Sequence, residues 1–388
     1  MVSNNFFYGF LVTLIFIGMS SCNAQNKTEN PQMAKPGEGA CLIGELIYPL
    51  DAKPTPECHA STIVEVEGGM MAAWFGGTEE KHNDVGIWIS MNLNGTWSKP
   101  IEVADGYQND SLRYPCWNPV LFNPEGGPLM LFYKVGPNPR DWWGMLTTSD
   151  NGGCTWTNPV KLGENEKIGH LLGPVKNKPI QLQDGTIVCP SSTEINEDGE
   201  TKWKVHFEFT HDFGKIWEVV GPINDGIEFD AIQPSIITYV DGKWQVLCRT
   251  RQGVVSQSWS SDNGQTWSKM TATALPNPNA GTDVVTLQDG RQLLVYNPTE
   301  RAKGYSGRNH LNVAVSDDGI KWNDVLVLEN DNLVNDDNNM EITDVGVVQR
   351  NTEYSYPAII QAKDEMVYIT YTYQRKSVKY VVVDPSRL

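Results

Sequence analysis

The chain has 388 residues, 40% of them hydrophobic, with 13 tryptophans and a formal net charge of −17. That apolar content supports a sizeable core, and the length allows one large domain or two. The acidity disfavours nucleic acid or an anionic membrane surface as a partner, while leaving room for a basic pocket within an acidic surface.

Residues Phe6–Met19 form an apolar run followed at once by Ser20-Ser21-Cys22. The run is shorter than the roughly 20 residues needed to span a bilayer. It predicts a lipoprotein signal over 1–22, with Cys22 as the lipidation site, so that acyl chains rather than a helix anchor the chain in the cell envelope. Met1–Asn5 holds no Lys or Arg, which keeps ordinary secretory cleavage near Ala24, and a periplasmic or secreted protein, as the alternative. Residues 23–41 are polar and carry Pro31, Pro36 and Gly37, the composition of a flexible tether.

From residue 42 to 388, short strands recur in six sets. Apolar inner strands are expected at His59–Glu65, Trp117–Asn123, Asn177–Gln183, Gln233–Tyr239, Thr282–Gln288 and Ser355–Gln361. Second strands follow at Met70–Phe75, Leu129–Val135, Thr186–Pro190, Lys243–Arg249, Arg291–Asn297 and Met366–Tyr373, several across turns such as Asp184-Gly185 and Asp289-Gly290. Most third strands run into a turn of the form Ser/Thr-x-Asp-x-Gly-x-x-Trp, known as an Asp box. Thr210-Asp212-Gly214-Trp217 and Ser260-Asp262-Gly264-Trp267 are complete; Asn151, Val315, and the pair Asn92 and Asn94 mark degenerate copies. The closing tryptophans stand at 97, 156, 217, 267 and 322, a period of about 50 to 60 residues that fits one four-stranded unit. The prediction is an all-β, six-bladed β-propeller. Its sixth set has a third strand at Ser377–Asp384 and no box, so Leu42–Tyr48 is expected to supply the fourth strand and close the ring. The boxes themselves read as peripheral turn devices, with a short acceptor side chain bonding backbone N–H groups.

Beyond Cys22 there are cysteines at 41, 58, 116, 154, 189 and 248. An even number in an exported chain permits a disulfide without fixing a pairing. Cysteines and histidines show no metal-ligand spacing, and nothing requires a cofactor. A monomer is expected.

Inner strands of a propeller converge on its axis, so their entry ends surround one mouth. The polar residues delivered there include His59, Asp84, Asn118, Lys134, Lys178, Glu194, His206, Gln233, Arg249, Arg308, Tyr354 and Arg375, a density that predicts a ligand site.

With these boxes and this period, the chain resembles the sialidase superfamily of six-bladed Asp-box glycoside hydrolases, and more closely the exported bacterial sialidase-like BNR-repeat proteins. The resemblance implies a Tyr nucleophile assisted by a Glu, an Asp acid/base and three arginines that clamp a carboxylate. Asn351-Thr352-Glu353-Tyr354-Ser355 is similar to the nucleophile segment, which makes Tyr354 the candidate, with Tyr356 straddling the same strand entry. Asp84 stands where the acid/base Asp stands, and Arg249 and Arg308 match two clamp arginines. Two positions depart from the pattern. His59 occupies the place of the first arginine, and Gln233 the place of the Glu that polarises the Tyr; an amide cannot take a proton. These departures predict negligible release of sialic acid.

The leading expectation is an exo-acting glycoside hydrolase that removes a terminal, anionic sugar. Asp84 serves as proton donor, Tyr354 or Glu194 completes the displacement, and Arg249, Arg308, Lys178, Asn118 and Arg375 bind the sugar. One alternative is a polysaccharide lyase, in which Tyr354, His59 or His206 abstracts a proton beside a uronate carboxylate and Gln233 donates to it. A second is a non-catalytic lipoprotein that captures glycans at the cell surface.

Overall fold

The computed structural model describes Met1 and residues 31–301, 306–331, 341–343, 346–348 and 353–388. The apolar run and Cys22 lie outside the described residues, as do residues 23–30 of the expected tether.

Six sheets of four or five strands form the blades, antiparallel but for one edge strand of the fifth. Their inner strands are Glu57–Val66, Cys116–Phe122, Ile180–Gln181, Ala231–Thr238, Asp283–Thr286 and Tyr354–Gln361, and each pairs with the strand after it. The six-bladed propeller is thus the observed fold. Its apolar side chains are shared between blades. Leu131 and Tyr133 of blade two pack with Ala73 and Phe75 of blade one, and Phe207 and Phe209 of blade three pack with Val246 and Trp244 of blade four. Equivalent clusters fill the other four seams. Burying each such side chain contributes about 1.5–3 kcal/mol, so the core is a ring of seams with a polar axis.

Ring closure is as expected. Cys41–Leu46 pairs antiparallel with Ser377–Val383 as the fourth strand of blade six. Ahead of it, inside the stretch expected as tether, Gln32–Met33 forms a short parallel strand on the outer edge of blade five, beside Asn323–Asn330. The N-terminal arm therefore engages both blades of one seam.

The boxes behave as turns. In blade three, Thr210 Oγ1 accepts from Gly214 N at 2.9 Å, Asp212 Oδ1 accepts from Ile216 N at 2.9 Å, and Trp217 Nε1 donates to Gly214 O at 3.0 Å. Asn151 fills the Asp place without loss, its Oδ1 accepting from Thr155 N at 2.9 Å. The blade-five copy is not degenerate but shifted by one residue. Ser316 Oγ accepts from Gly319 N and Asp318 Oδ1 from Lys321 N, each at 2.8 Å, so Ser316 and Asp318, rather than Val315 and Asp317, make the turn. The six cysteines are unpaired thiols.

Candidate functional site

Four inner strands slip register at their entry: between His59 and Thr62, Trp117 and Val120, Ile232 and Ser235, and Ser355 and Ala358. Within these bulges Ala60, Asn118, Gln233 and Tyr356 have φ of 54°, 38°, 56° and 53°, and Lys176 has 76° at the corresponding place in blade three. A non-glycine residue held there costs on the order of 1–3 kcal/mol. Such strain repeated around one axis points to a functional constraint. The bulges turn side chains into a mouth of about 340 Å³, lined among others by His59, Asn118, Glu194, Gln233, Arg249 and Tyr356.

Tyr356 is its centre. Its hydroxyl accepts from Arg249 Nη1 at 2.7 Å and from Gln233 Nε2 at 3.2 Å, and its ring lies 4.1 Å from that of His59. Arg249 also donates to Gln233 Oε1 at 3.3 Å and Asn279 Oδ1 at 2.6 Å. Arg249 is 9% exposed, and its hydrogen bonds go to neutral oxygens. A buried cation so placed favours negative charge on whatever joins it. His59 Nδ1 lies 2.9 Å from Thr372 Oγ1; burial first, and then the Arg375 cation, hold the imidazole well below its usual pKa, so it is neutral.

The structure separates the other expected residues from this centre. Tyr354 turns out of the mouth, its hydroxyl 3.0 Å from both Asp331 carboxylate oxygens. Tyr356, two residues on, takes the place expected for it beside Gln233. Arg308 and Arg375 share Glu353, at 2.8 and 2.9 Å, and Arg375 also binds Glu80 at 2.5 Å. Burial pushes Glu353 up, but the two guanidiniums outweigh it and hold the carboxyl well below its usual value. Neither arginine is thus an open clamp. Lys178 is bonded to buried Asp283 at 3.0 Å, and its charge is spent there. Lys176 ties blades together by donating to Thr282 O at 2.7 Å and to Pro357 O. His206 and Lys134 are fully buried. His206 Nε2 lies 3.0 Å from Glu208 Oε1, whose carboxylate also accepts from Leu172 N and Gly173 N at 3.0 and 2.9 Å. Lys134 donates to Pro174 O. This cluster fixes the 172–174 loop; it is a support, not a reacting group.

Asp84 also stands apart. Its carboxylate accepts from Thr78 N at 2.9 Å and Thr78 Oγ1 at 2.6 Å, and lies 2.8 Å from His82 Nδ1. Partial burial raises its pKa, but these partners outweigh that and lower it, which suits an ionised turn residue better than a proton donor.

Glu194 is a carboxyl that lines the mouth. Blade three carries an oversized hairpin, Ile187–Glu197 and Glu200–Thr210, joined by Asp198 and Gly199 at φ 53° and 83°, the two-residue turn that matches strand twist. Glu194, expected on a loop, sits on this hairpin opposite Trp203. Burial pushes its pKa up, against the opposing pull of Arg249 and Trp203. It lines the mouth and also an adjoining groove. Mouth residues that the sequence left unmarked are Glu80, Lys81, Arg140 and Trp203. Glu80 and Lys81 share a loop with Asp84, and only loop geometry distinguishes them.

The BNR repeat-like domain family matches residues 68–369. No curated protein is significantly similar in sequence. Among solved structures, a protein of unknown function from Dyadobacter fermentans is 14% identical with a TM-score of 0.69, covering 89% of this chain and 98% of its own. The Hadza microbial sialidase Hz136 is 16% identical with a TM-score of 0.69, covering 89% and 69%. The NanB sialidase of Streptococcus pneumoniae is 13% identical with a TM-score of 0.64, covering 89% and 71%. These likenesses establish the sialidase-like fold.

Proposed function

The chain belongs to the BNR repeat-like domain family, and on that premise we propose that it is an exo-acting glycosidase that removes a terminal anionic sugar from a glycan. The observation that carries this reading is the Tyr356–Arg249–Gln233 constellation on the axis, with Glu194 in the same cavity. Arg249 binds the sugar's anionic group and holds the phenolic oxygen toward the anomeric carbon, where positive charge develops in the transition state. Glu194, whose pKa burial raises, donates a proton to the departing oxygen as the glycosidic bond breaks and takes one back from the water that adds to the anomeric carbon. Asn118 and Arg140, both lining the mouth, are placed to bind ring hydroxyls and the anionic group.

Sialic acid is not the expected sugar. His59 stands neutral against Tyr356 where a clamp arginine would stand, and Gln233 has no carboxylate to take the phenol's proton. The lyase reading keeps one supporting observation: Gln233 and Arg249 both donate to the Tyr356 hydroxyl, as a phenolate base beside a uronate would require. Incubation with a panel of glycans, with products read by mass spectrometry and ultraviolet absorbance, decides. Loss of a terminal sugar with gain of water supports the hydrolase, and unsaturated products the lyase. No product from any anionic glycan overturns both and leaves a glycan-capturing protein.

The N-terminal segment supports export with a lipid anchor on Cys22 as part of this proposal. The Cys22→Ser variant is expected in the soluble rather than the membrane fraction, with unchanged activity on soluble substrate. A wild-type protein already wholly soluble removes the anchor.

A further inference from the structure

Beside the mouth lies a second cavity of about 750 Å³, bounded on one side by the blade-three hairpin and on the other by a small hairpin that pairs Glu164–Asn165 with Gly169–His170. The two cavities adjoin, with Pro139, Arg140, Trp142 and Glu194 lining both. We propose that this groove holds the second and following sugars of the glycan whose terminal sugar enters the mouth, and that those inner sugars are neutral.

Three observations carry this. First, a succession of aromatic rings runs from the axis into the groove. His59 follows Tyr356 at 4.1 Å, then Phe75 at 5.6 Å, Trp117 at 6.2 Å and Trp142 at 6.0 Å. These rings are nine-tenths or more buried and packed on one another, so they stiffen the passage, and Trp142, the one that lines both cavities, offers an apolar edge to a sugar ring. Second, Trp142 and Thr193, both lining the groove and both more than nine-tenths buried, have an Nε1 and an Oγ1 with no hydrogen-bond partner among the described residues. Neither atom has accessible surface of its own, and a buried unpartnered polar group is costly, so a turn of either side chain that brings it to a sugar hydroxyl is favoured. Third, the charge changes sign along the path. The mouth holds Lys81, Arg140, Arg249 and Arg251 against Glu80, whereas the groove sets Asp141 and Glu164 against Arg140, with His170 beside Glu164. An anionic unit is drawn to the mouth and repelled from the groove. Glu194 marks the junction, where the bond between the terminal and second sugars must lie.

This inference rests on the proposed function, and its test separates the two. The probes are glycans with one uronate, sialate or sulfated sugar capping one to four neutral hexoses, together with homopolymeric uronates of matching length; affinity and kcat/KM are measured with the full mature chain. Among whichever probes bind, affinity should rise about ten-fold or more when a second neutral hexose is added, and homopolymeric uronates should show no such gain. Thr193→Val, which keeps side-chain volume, and Trp142→Phe, which keeps a ring, should each shrink that gain by about 3- to 10-fold, the worth of one hydrogen bond. Binding that is indifferent to length, or a gain untouched by both variants, overturns the groove while leaving the mouth. Equal or better binding of homopolymeric uronates overturns the charge argument. No binding of any capped glycan overturns the functional reading and the groove with it.

Discussion

Tyr354 and Tyr356 are separated by one residue, yet one faces Asp331 and the other Arg249. Their hydroxyls therefore give a direct test. Tyr356→Phe should lower kcat on an anionic glycan by about 10²-fold or more. Tyr354→Phe should leave kcat within a few-fold and cost about 1 kcal/mol of stability, the worth of its bond to Asp331; the reverse pattern in kinetics and urea melts would return the role to Tyr354. Glu194 is testable by pH. As a proton donor with a raised pKa it must be protonated to act, so wild-type kcat should fall as pH rises through that value. Glu194→Gln should be slower by about 10²-fold, without that fall, and least impaired on substrates with good leaving groups. An unchanged profile would remove Glu194 from the chemistry. The sequence made Gln233, His59, Arg249 and Glu194 legible as mouth residues, but not which tyrosine joins them. Side-chain direction in a strand follows parity, and the bulge between Ser355 and Ala358 breaks parity at the entry where the site is built.

At the scale of elements, strand positions were readable because apolar alternation and Gly-containing turns are local signals; Leu129–Val135, for example, was expected and is observed with the same ends. The blade-three hairpin was not. Its strands run 11 residues each, and polar residues such as Glu194 and Lys204 in their outer halves mimic a loop because that part stands clear of the seams. Asp84 and Lys178, expected at the mouth, bond instead to Thr78 and Asp283, partners fixed by tertiary placement that spacing does not encode. The shifted blade-five box gives an element-level prediction. Asp318→Ala should lower stability by about 1 kcal/mol or more, since two backbone N–H groups and Ser316 lose their acceptor, while Asp317→Ala should lie within about 0.5 kcal/mol of wild type. Equal effects in thermal melts would refute the shifted register.

For the whole molecule, the arm over residues 31–46 binds two neighbouring blades. The chain from residue 31 onward is the reference for the melting temperature. Removal through residue 46 should lower it by roughly 10 °C or more in a single transition, because Ser377–Val383 loses its partner and an open sheet edge remains. A melt that splits into two transitions, or does not move, would show that the blades are held independently of closure.

That same closure orders events in time. The sixth blade combines a strand from the start of the chain with three from its end, so no partly synthesised chain can complete the ring. Until residue 383 has emerged, Cys41–Leu46 has no partner strand, and blades one and five each lack the neighbour that buries one face. Final folding is thus coupled to chain completion. For the export proposed above, this delays closure of the ring until the last blade has emerged.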